Sequence, residues 1–176
     1  NPGKILTGVS FGATSHLLWI LLGSKTGTSF KYVPFQGGTA GRIKGMRSKA
    51  VDLGGINMAA AQGQKKDGTL KAFAIAADKR SPLVPDLPTL KELGVDMNFS
   101  LTRGVVVPKG TSKDKIEHWA AIFKKATQNA AFKKSMAAKG TSLVYKGPAA
   151  YAKWFAATSN DFNAAAKGVK LGRYGK

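Results

Sequence analysis

Two segments decide the fold of this chain: V-D-L-G-G-I-N at residues 51–57 and G-T-L-K-A-F-A-I-A-A-D-K-R-S-P-L-V-P-D-L-P-T-L-K-E-L-G at residues 68–94. Each contains a short apolar run of strand length bounded by turn residues, at 51–56 and at 72–77. The polar, alanine-containing segment 57–66 lies between them and suits a crossover helix. A strand–helix–strand unit of this kind predicts an α/β layered domain.

A proline-rich turn follows the second apolar run. Pro82, Pro85 and Pro88 fix an extended path there, because the proline ring restricts both its own backbone and that of the preceding residue. Thr89 is predicted to cap a short helix, with Glu92 completing a capping box. The chain shows no nucleophile paired with a base and no cluster of metal ligands, so we expect a binding scaffold without cofactor or metal, and not an enzyme.

The charge is unusual for a globular chain of 176 residues. Twenty-eight Lys and Arg against nine Asp and Glu give a formal net charge of +19. Such a surface attracts polyanions, acidic proteins, anionic lipids and small anions, and basicity alone does not choose among them. Cysteine is absent, which excludes disulfides and Cys-based zinc sites.

Nothing in the sequence predicts a membrane span or a targeting segment. The longest apolar run, at residues 17–22, is far shorter than the roughly 20 residues that a spanning helix needs. The chain opens on Asn1 without Met and without a visible secretory signal, so we expect a processed, trimmed or partial N-terminus.

The first part of the chain repeats one pattern: a strand, a loop of small residues and a helix start. Strands are predicted at 4–9 and 29–34 in addition to 51–56. Parallel strands direct such loops to a shared crevice, and free amides at helix starts favour anions, so the pattern predicts an anion-binding crevice. The alternative is that the glycines only turn the chain and that the hydroxyls of Thr14 and Ser15 cap a helix.

The remaining third is predicted to be mostly helical and rich in lysine. An extended segment at 98–107 leads to a helix with an apolar face, a second helix at 131–139, a brief strand at 141–145 and a last helix from Pro148 to Gly168. The dinucleotide and P-loop glycine patterns are both absent, which disfavours nucleotide binding. His16 is expected to be a packed or solvent-facing histidine and not a catalytic base, since no partner lies near it in sequence.

Eight short motifs occur in the order typical of one family. They are N-P-G-K at 1–4, G-A-T-S-H at 12–16, V-P-F-Q-G at 33–37, V-D-L at 51–53, K-R-S-P at 79–82, P-D-L-P-T at 85–89, E-L-G at 92–94 and P-K-G-T at 108–111. In these motifs the chain resembles the tripartite tricarboxylate transporter substrate-binding proteins, the TctC or Bug family of bacterial periplasmic receptors. The resemblance extends to about Val169.

This resemblance implies an α/β fold of the type II periplasmic-binding-protein class, a two-lobed Venus flytrap with a parallel-rich sheet flanked by helices. A small carboxylate would bind between the lobes, and the receptor would serve membrane transporter subunits from the periplasm. The ligand-binding residues implied for this chain are Gly12, Ala13, Thr14, Ser15, Phe35, Gln36, Gly37, Ile56 and Asn57.

The resemblance also implies a division of the chain and some departures from the family. Residues 1–107 would form the second, ligand-binding lobe, residues 108–168 the C-terminal helical part of the first lobe, and residues 169–176 a basic tail that is either disordered or an interaction arm. Family chains carry a long segment before N-P-G-K, so we expect a missing N-terminal lobe as a partner. Ile56 stands where many members have an acidic residue.

These departures and the charge leave a second hypothesis open. The chain could be a repurposed basic structural or interaction subunit of a larger assembly that binds a polyanion such as nucleic acid through its basic surface.

Overall fold

The computed structural model describes residues 3–167, apart from the side chains at 65, 66, 165 and 166. The chain divides into two compact units. The first contains the described residues up to Leu101 and the end of the last helix from Phe162 onward, and the second is Thr102–Asp161. The predicted assignment of residues 1–107 and 108–168 to two lobes stays a prediction, and the predicted tail at 169–176 lies outside the described residues.

A three-stranded parallel sheet forms the centre of the first unit. Its strands are β1 (Leu6–Val9), β2 (Lys31–Pro34) and β3 (Leu53–Gly54), in the order β2-β1-β3. The register pairs Leu6 with Lys31 and Thr7 with Leu53. Since β1 is flanked on both sides, it is the most buried strand, as its run of apolar and small residues predicts.

Three helices accompany this sheet: α1 (Thr14–Thr26), α2 (Gly38–Arg47) and α3 (Met58–Lys66). Each follows a strand, as the strand–loop–helix pattern predicts. The buried apolar side chains are Val9, Trp19, Ile20, Val51, Val84 and Met97. All of these side chains belong to the first unit, so the hydrophobic core of the described residues lies there.

The strand predicted at 51–56 is shorter than expected because two polar groups end its ladder. The Asp52 carboxylate, not a backbone carbonyl, accepts the hydrogen bond of the Leu6 amide at 2.9 Å. At the other end, the Gly55 carbonyl accepts from the Arg42 guanidinium at 3.0 Å. These contacts leave only Leu53–Gly54 paired as a strand.

The strand predicted at 72–77 is wrong, although Ile75 forms an isolated parallel bridge with Thr89. The Ile75 amide donates to the Pro88 carbonyl at 2.9 Å, and the Leu90 amide donates to the Ile75 carbonyl at 2.9 Å. The ladder stops after this pair because Pro88 has no amide hydrogen and the chain after Thr89 curls into a turn.

The short helix predicted after Thr89 is wrong, since residues 90–94 form a turn, but the two hydrogen bonds of the capping box are present. The Glu92 carboxylate accepts from the Thr89 amide at 2.7 Å, and the Glu92 amide donates to the Thr89 hydroxyl at 3.0 Å. Arg80 donates to the same carboxylate at 2.8 Å. The hydrogen bond from the Thr89 amide, followed by that from Arg80, lowers the pKa of Glu92.

The second unit consists of helices and irregular segments. Its helices are α4 (Lys113–Gln128), α5 (Ala130–Ala138) and most of α6 (Pro148–Ala166), which begins at Pro148 as predicted. The strand predicted at 141–145 and the extended segment at 98–107 form no strand in the described part of the chain, because no neighbouring strand pairs with either. The end predicted for the last helix, Gly168, lies outside the described residues.

No apolar side chain of the second unit is buried among the residues described. Trp119, Ile122, Phe123 and Phe132 on α4 and α5 are exposed. Residues 3–167 also contain no helix with both the length and the apolar character needed to cross a bilayer.

Candidate ligand-binding edge of the sheet

The three parallel strands end at the same edge of the sheet, where the chain continues into three loops. The first loop follows Val9 and leads into α1, the second follows Pro34 and leads into α2, and the third follows Gly54 and leads into α3. This common edge carries the nine predicted site residues. Parallel α/β sheets bind their ligands at such an edge.

The first loop is held by its own backbone and by His16. Gly12 has a φ of +73°, a left-handed conformation that favours glycine, and its amide donates to Nδ1 of His16 at 3.3 Å. Ala13 is the N-cap of α1 and makes no side-chain capping bond. The alternative that Thr14 or Ser15 caps this helix is wrong, since the Ser15 hydroxyl instead accepts from the Ser10 amide at 3.0 Å.

His16 is fully buried and lies between two aromatic rings, as the packed alternative predicts. Its ring contacts those of Phe11 and Tyr32 edge-on, at centroid distances of 4.9 and 4.7 Å. Burial lowers the pKa of His16, which keeps the ring neutral near pH 7. Because Nδ1 accepts from Gly12, the proton lies on Nε2, and that atom is buried without a partner among the described residues.

Phe35 in the second loop is a packing residue. Its amide donates to the Val9 carbonyl at 2.8 Å, and its carbonyl accepts from the Ser10 hydroxyl at 3.3 Å. The ring fills the space above Gly8 and Gly45, where a Cβ on Gly45 would collide with it. Its side chain therefore joins α2 to the sheet.

Gln36 and Gly37 complete the second loop and are exposed. Gly37 is the N-cap of α2 with a φ of +76°. The Gln36 carbonyl lies so close to Gly41 that any side chain there would strike it. Gly41 thus fixes the distance between the loop and the first turn of α2.

The third loop contains one half-buried and one exposed candidate residue. Ile56 is half-buried, and the exposed Asn57 accepts from the Ala60 amide at 2.9 Å through its side-chain oxygen. Asn57 is therefore the N-cap of α3. Asparagine is one of the residues preferred at this position.

The three loops share uncommitted backbone donors. Within the described residues no hydrogen bond is made by the amides of six predicted site residues: Thr14, Ser15, Gln36, Gly37, Ile56 and Asn57. The Thr14 hydroxyl is also uncommitted there. This edge therefore presents donors and, at the starts of α1 and α2, the positive ends of two helices.

Sequence reasoning missed Arg42 and Ser10, which connect the loops. Arg42 is buried and donates to the Gly55 carbonyl, to the Ser10 hydroxyl at 3.0 Å and to the Thr39 hydroxyl at 3.1 Å. Ser10 also contacts Ser15 through its amide. In the sequence Arg42 is one of several basic residues on a helix, and nothing there distinguishes it from its solvated neighbours.

The described residues contain no group of three His, Cys, Asp or Glu side chains that could hold a metal ion. The chemistry at this edge is that of hydrogen-bond donors and one buried cation.

Comparison with known proteins agrees with this architecture. The sequence model described as "Tripartite tricarboxylate transporter family receptor" matches residues 1–171. The UPF0065 protein in gbd 5'region of Cupriavidus necator is 30% identical over 164 residues, which cover 90% of this chain and 48% of that protein. The chain thus spans about half the length of the curated relatives that it matches.

Two solved structures share the fold. A protein of R. palustris with adipate has a TM-score of 0.81 at 23% identity, covering 95% of this chain and 56% of that one. MatC from Rhodopseudomonas palustris with bound malate has a TM-score of 0.70 at 23% identity, covering 93% of this chain and 56% of that one. The predicted α/β fold class is confirmed, and this chain belongs to the TctC family of tripartite tricarboxylate transporter receptors.

Proposed function

We propose that this chain forms a ligand-binding lobe of a periplasmic solute receptor, which binds a small carboxylate and delivers it to the membrane subunits of a tripartite tricarboxylate-type transporter. The observation that carries this proposal is the set of uncommitted amides at one sheet edge. Carboxylates accept several hydrogen bonds and are stabilised by the positive ends of helices.

The nine predicted residues contribute to this site in different ways. At the start of α1, the carboxylate accepts from the amide and hydroxyl of Thr14 and from the amide of Ser15. The amides of Gln36 and Gly37 donate from the second loop. Gly12 and Ala13 set the path of the first loop, and Asn57 and Phe35 hold the other two loops in position through their capping and packing contacts. Ile56 contributes its amide and an apolar surface.

Family membership and two structural neighbours support the ligand class. The neighbours are described with adipate and with malate, both of which are dicarboxylates. The chain covers about half the length of its relatives. The proposed receptor therefore includes a partner segment that forms the rest of the first lobe.

Titration of the purified full-length polypeptide with a carboxylate panel at low salt tests this function. We expect adipate, malate or a related acid to bind saturably by calorimetry and to raise the melting temperature. The variant Thr14→Val removes the uncommitted hydroxyl at nearly constant shape, and a lost hydrogen bond to a charged group weakens binding by about 10- to 100-fold. Thr26→Val is the matched control, since Thr26 lies at the other end of α1 and donates to the Leu22 carbonyl.

Equal carboxylate affinity in the Thr14→Val and Thr26→Val variants would show that the Thr14 hydroxyl does not contact the ligand. A full-length polypeptide that binds no acid of the panel would contradict the function itself.

The net charge of +19 favours a second candidate, a basic interaction subunit that binds polyanions. This function requires tight binding to RNA or DNA whose affinity falls steeply as salt rises. Affinity that stays in the non-specific range at physiological salt would exclude the nucleic-acid form of it.

A further inference from the structure

Arg42 is buried without a carboxylate partner. Only 7% of its surface is exposed. Its guanidinium donates from Nε to the Gly55 carbonyl at 3.0 Å, from Nη1 to the Ser10 hydroxyl at 3.0 Å and from Nη2 to the Thr39 hydroxyl at 3.1 Å. All three acceptors are neutral, so they satisfy donors of the guanidinium without balancing its charge.

Two other arginines, unlike Arg42, have a carboxylate partner and are exposed to solvent. Arg47 pairs with Asp67 and Arg80 with Glu92, and both are well exposed. Within residues 3–167 no Asp or Glu side chain forms an ion pair with Arg42. A buried charge is costly unless an opposite charge or a full set of hydrogen bonds compensates for it. Arginine keeps its proton even where burial lowers its pKa, as it does here.

Arg42 also lies among the loops that carry the uncommitted amides. Its three acceptors belong to the first loop, the start of α2 and the third loop. Ser10 joins it to the start of α1, because the Ser10 amide donates to the Ser15 hydroxyl while the Ser10 hydroxyl accepts from Arg42. Among the described residues only three of the five N–H groups of the guanidinium have an acceptor, so two remain for a ligand.

Resting on the proposed function, we infer that Arg42 is the charged anchor of the site, which pairs directly with one carboxylate group of the ligand and makes the site selective for anions over neutral molecules of the same shape. The ligand carboxylate supplies the counter-charge that the described residues do not. The backbone amides and the positive helix ends already favour a carboxylate over a neutral carbonyl, and the guanidinium adds a full positive charge to that preference.

Acid and amide forms of one ligand separate charge recognition from shape recognition. The full-length protein is titrated with adipate and with adipamide, and with malate and its diamide, by calorimetry. We expect the wild type to bind the better acid at least about tenfold more tightly than its diamide, as expected for a charge-assisted hydrogen bond. Arg42→Gln should lower this acid-to-amide ratio severalfold, to the preference that the amides and helix starts give without the guanidinium, and Arg42→Lys should retain more of the wild-type preference for the acid.

Arg47→Gln is the matched control, because Arg47 lies on the same helix, is exposed and pairs with Asp67 away from the loops. It should keep the wild-type ratio, which separates a direct contact from a general loss of positive charge. Comparing ratios within each variant cancels the loss of affinity that acid and amide share, since both meet the same protein.

Two results would overturn the inference while leaving the proposed function intact: a diamide that binds the wild type nearly as well as its acid, or an Arg42→Gln protein that retains the wild-type ratio. The first needs no variant and decides the matter even if Arg42→Gln does not fold. A wild type that binds neither acid nor diamide overturns the proposed function and the inference together.

Discussion

Trp19 and Trp119 each lie on a helix, but they differ in their exposure to solvent. The exposed fraction is 8% for Trp19 and 52% for Trp119. Trp19 belongs to the first unit, where α1 packs beside a sheet and Leu18 and Trp19 contact the third loop at Gly55. Trp119 belongs to the second unit, where the described residues include helices and no strand. The difference shows that an apolar helix face is buried only where another layer covers it.

The second unit nevertheless has contacts of its own. The Tyr145 hydroxyl donates to the Ala120 carbonyl at 3.0 Å, and the Tyr151 ring lies against Gly104. These contacts tie irregular segments to the helices without enclosing a core. We therefore expect the two units to differ sharply in their response to the same kind of substitution.

Matched tryptophan substitutions give the largest expected effect. Trp19→Ala removes a buried ring and should lower the free energy of unfolding by about 3–5 kcal/mol. Trp119→Ala should change it by no more than about 0.5 kcal/mol, because the ring is largely exposed. Denaturant titration of both variants measures the contrast, and equal losses would mean that the second unit has a core after all.

Substitutions at two capping residues, one before a turn and one before a helix, test the same contrast at smaller scale. Thr89→Ala removes the hydroxyl that accepts from the Glu92 amide and should cost about 1 kcal/mol of global stability. Asn129→Ala removes the side-chain acceptor of the Phe132 amide at the start of α5, and this loss should appear mainly as reduced helicity. Amide hydrogen exchange distinguishes the two variants. In Asn129→Ala the loss of protection should be confined to α5, whereas in Thr89→Ala it should extend to the amides of the first unit.

The pH dependence of stability reports on the buried His16. Burial lowers its folded-state pKa below the ordinary 6.5, so below about pH 6.5 the unfolded chain binds a proton that the folded one does not. The free energy of unfolding should therefore fall as the pH drops through this range, with a slope of at most about 1.4 kcal/mol per pH unit. His16→Gln should lose this component of the slope, and an unchanged slope between pH 7.5 and 5.5 would contradict the assignment.

The smallest effect is expected at the surface of α4. Lys113 and Glu117 form an exposed ion pair at 3.6 Å with the spacing of one helical turn. Glu117→Gln should change stability by no more than about 0.5 kcal/mol, and less at high salt. A larger change in chemical denaturation would indicate that α4 supports structure beyond its own surface.

The parts of the fold that depend on local chemistry could be predicted from the sequence. The capping box of Thr89 and Glu92 and the helix start at Pro148 follow from residues within one helical turn of each other. The strand at 72–77 could not be excluded, because its failure depends on a partner segment whose Pro88 lacks an amide hydrogen.

The candidate edge was predictable as a set of loops but not as a network. The glycine and hydroxyl residues after each strand mark the loops, whereas the role of each side chain depends on its neighbours in space. Arg42 shows this most clearly. Its burial requires an acceptor on its own helix, Thr39, and two acceptors from other loops, Ser10 and Gly55, which are 32 and 13 residues away in sequence.

The contact between Phe35 and Gly45 has a consequence for how this sequence can change. The ring occupies the space that a side chain at position 45 would need, so the two positions cannot vary independently. A substitution such as Gly45→Ala becomes tolerable only alongside a smaller residue at position 35, such as Phe35→Leu, and the double variant should be more stable than the Gly45→Ala protein. Changes at positions 35 and 45 are in this way coupled.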